Sequence, residues 1–288
     1  MAVIDRFLRL NHGFLGKFIA SADDPGFVTS GPAKGHLIVF PREEVAITQG
    51  TQRPFVANST NVVLYNRGID YRRHVIAEIG DHCDFLDVED DVIAYWLKKV
   101  LGQTGTSWQA EQPFAVSIAV ASSRLFQTQG ELFDLAHNSG DVEQINRLVH
   151  SVLEQVVACT ARTSHGIDYQ TCRDEHWRLV FQAQRLICKD YAEPLTTERI
   201  ARSLGVSRFH LCRIFRQNTG TTIHRYLNNL RLRKSTALLR YGKLNITSIA
   251  PHIGYSSHSH FSSSFRESFR MTPQQWRELS RTRQHSMS

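Results

Sequence analysis

Thr197-Glu-Arg-Ile-Ala-Arg-Ser-Leu-Gly-Val-Ser-Arg-Phe-His-Leu-Cys-Arg-Ile-Phe215 is the stretch on which the fold turns. With Thr197 counted as first, Ile200, Leu204, Val206, Leu211 and Ile214 are the apolar fourth, eighth, tenth, fifteenth and eighteenth positions. Ala201 and Gly205 hold the fifth and ninth. Two steeply crossing helices need a small residue where they touch, which Ala201 supplies, and a turn residue that tolerates positive φ, which Gly205 supplies. Ser207 is a natural N-cap for the second helix. The spacing predicts a helix-turn-helix unit.

Working outward, Ile246 to Phe265 repeats the skeleton with Ile249, Ala250, Ile253 and Gly254. Tyr255 takes the tenth place, the turn is one residue longer, and Ser256 or Ser257 caps a helix packed through Phe261 and Phe265. Between the units a helix from Thr222 to Arg240 is expected to bury Ile223, Tyr226, Leu227, Leu230, Ala237 and Leu238. Before them, Trp177, Val180, Phe181, Gln184, Leu186 and Ile187 mark another helix. Pro251 interrupts the second unit. With Thr247 as N-cap it is the fourth helical residue and removes one early backbone hydrogen bond.

Charge divides the chain in the same place. From Trp177 onward there are 19 Lys and Arg against 5 Asp and Glu, a net of +14; the preceding residues carry 15 against 22, a net of −7. A basic module joined to an acidic one points to a polyanionic partner for the C-terminal part alone. At 288 residues the chain has room for two cores. Five cysteines at irregular spacing imply no disulfide framework. The absence of a signal-peptide pattern and of any run of about 18 apolar residues leads us to expect a cytoplasmic protein without membrane attachment.

The N-terminal half reads as strands. His36–Phe40, Val45–Thr48 and Asn61–Tyr65 are short apolar runs closed by Pro, Gly and Asn, the pattern of a sandwich or barrel. Glu89 to Leu101 reads as a helix, and so does Ser122 to His137. From Asp141 a stripe of Ile145, Leu148, Val149, Val152, Leu153, Val156 and Val157 forms one apolar face, to be buried on its own domain or on a second subunit. The expected organisation is α+β and multidomain: a β domain at 1–120, a helical dimerisation or packing segment at 121–160, a linker at 161–175, and an all-α domain at 176–285 with two helix-turn-helix units joined by a long helix.

The C-terminal part resembles the DNA-binding domain of the AraC/XylS family of transcription regulators. The likeness rests on Leu204-Gly-Val-Ser-Arg-Phe-His-Leu-Cys-Arg-Ile-Phe-Arg216, Thr219-Gly220, Gly254-Tyr-Ser-Ser-His-Ser-His-Phe261, Phe265-Arg-Glu-Ser-Phe269, Thr272-Pro273 and Trp276-Arg277. Arg270-Met271 replaces the family's usual Gly before Thr-Pro, which is expected to alter the local turn. The resemblance implies that one monomer sets both recognition helices in successive major grooves of promoter DNA, that RNA polymerase is a partner and that the protein is an activator. It also implies a cupin-like N-terminal domain, matched by Arg53-Pro-Phe to Tyr71-Arg-Arg73 and Gly80-Asp81, which binds a small-molecule effector or makes a homodimer.

A helical wheel assigns the contacts. Phe209, Arg213 and Arg216 lie opposite the inward Leu211, Ile214 and Phe215, flanked by Arg208 and Cys212. Arg213 suits a guanine edge, Phe209 a thymine methyl, and Arg208 and Arg216 phosphates; the resemblance points to Phe209, Cys212 and Arg213 as base readers. On the second helix Ser259, Ser263 and Arg266 face outward, with His258, His260 and Ser262 beside them. With no bidentate pair there, base specificity is expected to be weaker, and for both histidines a capping or backbone role stands beside base contact. Arg225, Arg231, Arg233 and Lys234 of the joining helix are read as phosphate contacts or plain surface charge.

Other chemistry finds little support. Cys159, His165, Cys172 and His176 lack a tight zinc spacing, and His36, His74 and His82 are too scattered for a dioxygenase centre. Asp81-His82-Cys83-Asp84 reads as a polar loop. No enzyme activity and no cofactor are expected. The alternatives are a cupin-type metalloenzyme with an accessory nucleic-acid module, and an effector-independent dimeric regulator.

Overall fold

In a computed structural model of the chain, residues 2–10, 13–25, 27–101, 112–138, 141–164 and 173–285 are described. They form two compact units, Met1–Thr171 and Cys172–Ser288. Of the expected linker, residues 165–172, including His165 and Cys172, lie outside the described residues.

The first unit contains β1 (Val3–Leu10), β2 (Gly13–Ala20), β3 (Thr29–Ser30), β4 (His36–Pro41), β5 (Val45–Gln49), β6 (Phe55–Ala57), β7 (Asn61–Tyr65), β8 (Tyr71–Val75), β9 (Asp81–Val88), α1 (Asp90–Leu101), β10 (Ile118–Val120), α2 (Ser123–His137) and α3 (Val142–Ser164). Its strands form a six-stranded sheet, β1-β2-β9-β4-β7-β10, and a four-stranded sheet, β3-β8-β5-β6. Side chains alternate across a strand. Ile38, Phe40, Val62, Leu64, Leu86 and Val88 therefore leave one face of the larger sheet and pack with α1, α2 and α3. Val39, Val63, Tyr65, Cys83 and Phe85 leave the other and meet Val45, Ile47 and Phe55 of the smaller sheet. The α3 stripe is consumed in its own unit: Ile145, Val149, Val152, Leu153, Val156 and Val157 all belong to the helix-and-sheet core.

Asp81–Asp84 is a correction. It is not a loop but the start of β9, paired with β2 throughout and, from Cys83 on, with β4 as well. A central strand accepts these carboxylates because each meets a guanidinium. Arg42 Nε and Nη2 both donate to Asp84 at 2.7 Å, and Arg73 Nη1 lies 3.4 Å from Asp81. Burial pushes both carboxyls above the usual range, and the arginines pull them back. Arg73, 5% exposed, also donates to the Phe27 carbonyl and sits 4.2 Å from the centroid of the Phe18 ring.

The second unit contains α4 (Asp174–Asp190), α5 (Thr197–Ser203), α6 (Arg208–Thr219), α7 (Ile223–Tyr241), α8 (Ile246–His252), α9 (His258–Phe269) and α10 (Pro273–His285). The pairs α5/α6 and α8/α9 are the two helix-turn-helix units, joined by α7. Gly205 and Gly254 turn them at φ 68° and 83°. Ile200, Ala201, Leu211, Ile214 and Phe215 fill the first wedge, and Ile249, Ala250, Ile253, Phe261 and Phe265 the second, all buried.

Three expectations are revised here. Asn245, not Thr247, caps α8, its side chain accepting from the Ser248 N–H at 2.8 Å. Ile246 is thus the first helical residue and Pro251 the sixth. On α7, Ala237 is exposed and Leu238 half-buried, while Leu232, Ser235, Thr236 and Leu239 are buried. Ser235 and Thr236 tolerate burial because each hydroxyl donates to a carbonyl of its own helix, Leu232 and Arg233, at 2.7 Å. Finally, Arg231 and Arg233 are structural. Arg231 donates to the Tyr191 and Glu193 carbonyls at 2.7 and 2.8 Å, and Arg233 is buried with its guanidinium 5.7 Å from the Phe269 ring centroid.

Candidate nucleic-acid interface

The candidate surface comprises the outer faces of α6 and α9. Ser207 caps α6 by accepting from the His210 N–H, and Ser257 caps α9 by accepting from the His260 N–H, each at 3.2 Å. Both caps set the first helical turn outward while the wedge residues hold the opposite side. Leu211, Ile214 and Phe215 are wholly buried, whereas Arg208, Cys212, Arg213 and Arg216 are exposed and Phe209 is 76% exposed.

Several of these groups are already organised. The Arg208 guanidinium pairs with the Glu198 carboxylate of α5 and lies 4.9 Å from the centroid of the Phe209 ring. Arg213 Nη2 is 3.4 Å from His210 Nδ1. Beside Arg213 a hollow of about 510 Å³ is lined by Cys212, Arg213, Arg216, Gln217, Thr222 and Ile223. Glu198 and Gln217 were not singled out in the sequence. Glu198 is in the helix behind the reading helix, and only its distance to Arg208 reveals it.

On α9, His258, Ser259, His260, Ser263 and Arg266 are exposed and Ser262 is half-buried; Phe261, Phe265 and Phe269 face the core. Neither histidine side chain caps the helix. His258 Nε2 is 3.4 Å from the Ser262 hydroxyl, and the His260 ring leans edge-on against Tyr255 at 5.2 Å. The two outer faces thus differ chemically: three arginines and a phenyl ring on α6, short hydroxyls and imidazoles with the single Arg266 on α9.

The helix ends show a further difference. Gly220 closes α6 at φ 68° and Arg270 closes α9 at φ 60°, each N–H reaching the carbonyl four residues back. The turn expected to change at Arg270 therefore keeps its left-handed geometry, with a side chain that strains it. Arg270→Gly is expected to stabilise the second unit by about 0.5–1 kcal/mol, read as a rise in the denaturation midpoint. An unchanged or lower midpoint would contradict this.

Among the described residues no three His, Cys, Asp or Glu are grouped to hold a metal ion, and no helix is long and apolar enough to cross a membrane.

A family model described as a helix-turn-helix domain matches residues 200–279. The transcriptional activator RhaS of Escherichia coli O157:H7 is 39% identical over 88 residues, 31% of this chain and 32% of that protein. The C-terminal segment is an AraC-type DNA-binding domain. The Msm operon regulatory protein of Streptococcus mutans is 33% identical to this chain over 99 residues, 34% of this chain and 36% of that one. A solved regulator with an AraC-type domain, from Chromobacterium violaceum, is 35% identical and covers 38% of this chain and 96% of its own, with a TM-score of 0.35. The chain matches about a third of the length of these curated relatives.

Proposed function

We propose that the chain is a sequence-specific transcription regulator that binds promoter DNA through α6 and α9. One observation carries the reading: each AraC-type reading helix has a fully buried apolar face and an exposed face of cationic or hydrogen-bonding side chains. In this reading Arg213 forks onto a guanine edge, Phe209 presses on a thymine methyl, Cys212 lies against the bases, and Arg208 and Arg216 hold phosphates. On α9, Ser259, Ser263 and Arg266, with His258, His260 and Ser262, position the second unit and read fewer bases. The first unit is proposed to sense a small molecule or to pair subunits. RNA polymerase is the proposed downstream partner, with the protein acting in the cytoplasm as an activator.

Selection from a random duplex library with the full chain tests this, followed by titration of the enriched duplex against salt. Each phosphate neutralised contributes about 0.9 to the slope of log affinity on log salt. With four or five phosphates neutralised across the two units, affinity is expected to fall on the order of 10²-fold from 50 to 200 mM salt. A flat salt dependence or an unenriched library would overturn the reading.

A second reading, a regulator whose first unit takes no effector, is favoured by the space between the sheets. Phe18, Phe27, Phe55, Tyr65 and Phe85 are packed there, and Arg73 is engaged by Asp81, the Phe27 carbonyl and the Phe18 ring. A ligand-library thermal shift on the full chain separates the two, because a ligand that binds the folded state raises the melting temperature.

A further inference from the structure

Glu198 stands behind the reading helix, in the first turn of α5, yet its carboxylate closes on the Arg208 guanidinium at the start of α6. The pair is exposed on both sides, with side-chain exposures of 53% and 49%. Ion pairs of that kind contribute little to folding, and the α5/α6 crossing is already held by Ile200, Ala201 and Leu211. Its own helix-start N–H and then Arg208 hold the Glu198 carboxyl below the usual range, so it is ionised at neutral pH. A fixed carboxylate facing a polyanion repels every duplex alike.

What it does locally is orient. Phe209 is 76% exposed, so core packing does not select its rotamer. The Arg208 guanidinium over its face, 4.9 Å from the centroid, is the contact that does. A guanidinium tethered by a carboxylate presents one plane instead of sampling many.

We infer that Glu198 is a positioning residue for DNA recognition: it holds Arg208 against the face of Phe209, fixes the ring for a thymine methyl, and confines the Arg208 phosphate contact to duplexes on which that ring is seated. Glu198 thereby lowers non-specific affinity and raises selectivity. The inference rests on the DNA-binding reading above.

The test compares the full-length wild type with Glu198→Gln, Phe209→Ala and the double variant. Each is titrated with the library-selected duplex and with an equally long duplex lacking the site, across a salt series. Glu198→Gln is expected to bind the unselected duplex 3- to 10-fold more tightly. Its salt slope should steepen by about 0.9, one further phosphate contact, and its selected-to-unselected ratio should fall at least about 5-fold. In the Phe209→Ala background the gain on the unselected duplex should persist, while any loss on the selected duplex should vanish, because that loss acts through the Phe209 contact. A merely structural role would weaken both duplexes equally, lower the melting temperature and leave the slope alone; that result, or an unchanged ratio, overturns the inference. If the wild type enriches a site and Glu198→Gln behaves identically, this inference alone falls. If the wild type enriches nothing, the DNA-binding reading falls and takes this one with it.

Discussion

Phe265→Ala is expected to destabilise the second unit by about 3–5 kcal/mol. The ring is wholly buried, with centroids 5.7 Å from Phe261, 4.6 Å from Phe269 and 5.7 Å from Trp276. Removing it deletes the centre of an aromatic row that joins α9 to α10. Those neighbours belong to short helices around a small core, which cannot collapse far enough to refill the space. A domain has only about 5–15 kcal/mol in total, so a large part of this unit's margin goes. Hydrogen exchange should show α8, α9 and α10 losing protection while the sheets of the first unit keep theirs. DNA affinity should fall with the folded fraction, and Phe265→Leu should recover most of the loss. A midpoint shift equivalent to less than about 1 kcal/mol would mean that the row is not the keystone of α9.

The same aromatic row explains what was readable in advance. Phe261, Phe265 and Phe269 recur at helical spacing beside a glycine turn and a serine cap, so local chemistry and tertiary packing agree there. At the other end of the chain they disagree. Asp81 and Asp84 read as loop residues because a carboxylate in a central strand is costly; their partners approach from elsewhere in the chain, Arg73 from β8 and Arg42 from the bend after β4, and nothing local marks them. The strand β2 escaped notice for a related reason. Gly16 breaks its apolar run, and a Cβ there would lie 2.3 Å from the Phe85 ring, so the glycine is fixed by a contact far along the chain. On α7 the error was one of face. Ser235 and Thr236 look like surface residues until their hydroxyls are seen bonded to their own helix. Asn245 and Thr247 are both good caps, and the choice between them depends on where Ile249 must point. Glu198 shows the same limit at the reading surface: its role comes from Arg208, which the turn brings to it from ten residues away.

Arg213→Ala is expected to cost the selected duplex about 10- to 100-fold in affinity, the range of one bidentate base contact. The side chain is exposed and its hydrogen-bonding neighbour in the protein is His210 Nδ1 at 3.4 Å, so the melting temperature should stay within about a degree, as for surface substitutions. Arg213→Lys discriminates mechanism. It keeps the charge and loses the planar fork, so the salt slope should hold while most of the specific affinity is lost. Arg216→Ala should behave in the opposite sense. It weakens selected and unselected duplexes together and lowers the slope by about 0.9, the signature of a phosphate contact. Methylation interference at guanines should then be strong under α6 and weak under α9, whose outer face is mostly short hydroxyls and imidazoles and whose Arg266 lies in the last turn of the helix. Equal protection at both, or an Arg213→Lys variant with full selectivity, would remove Arg213 from the base-reading role and leave the asymmetry between the two helices without a cause.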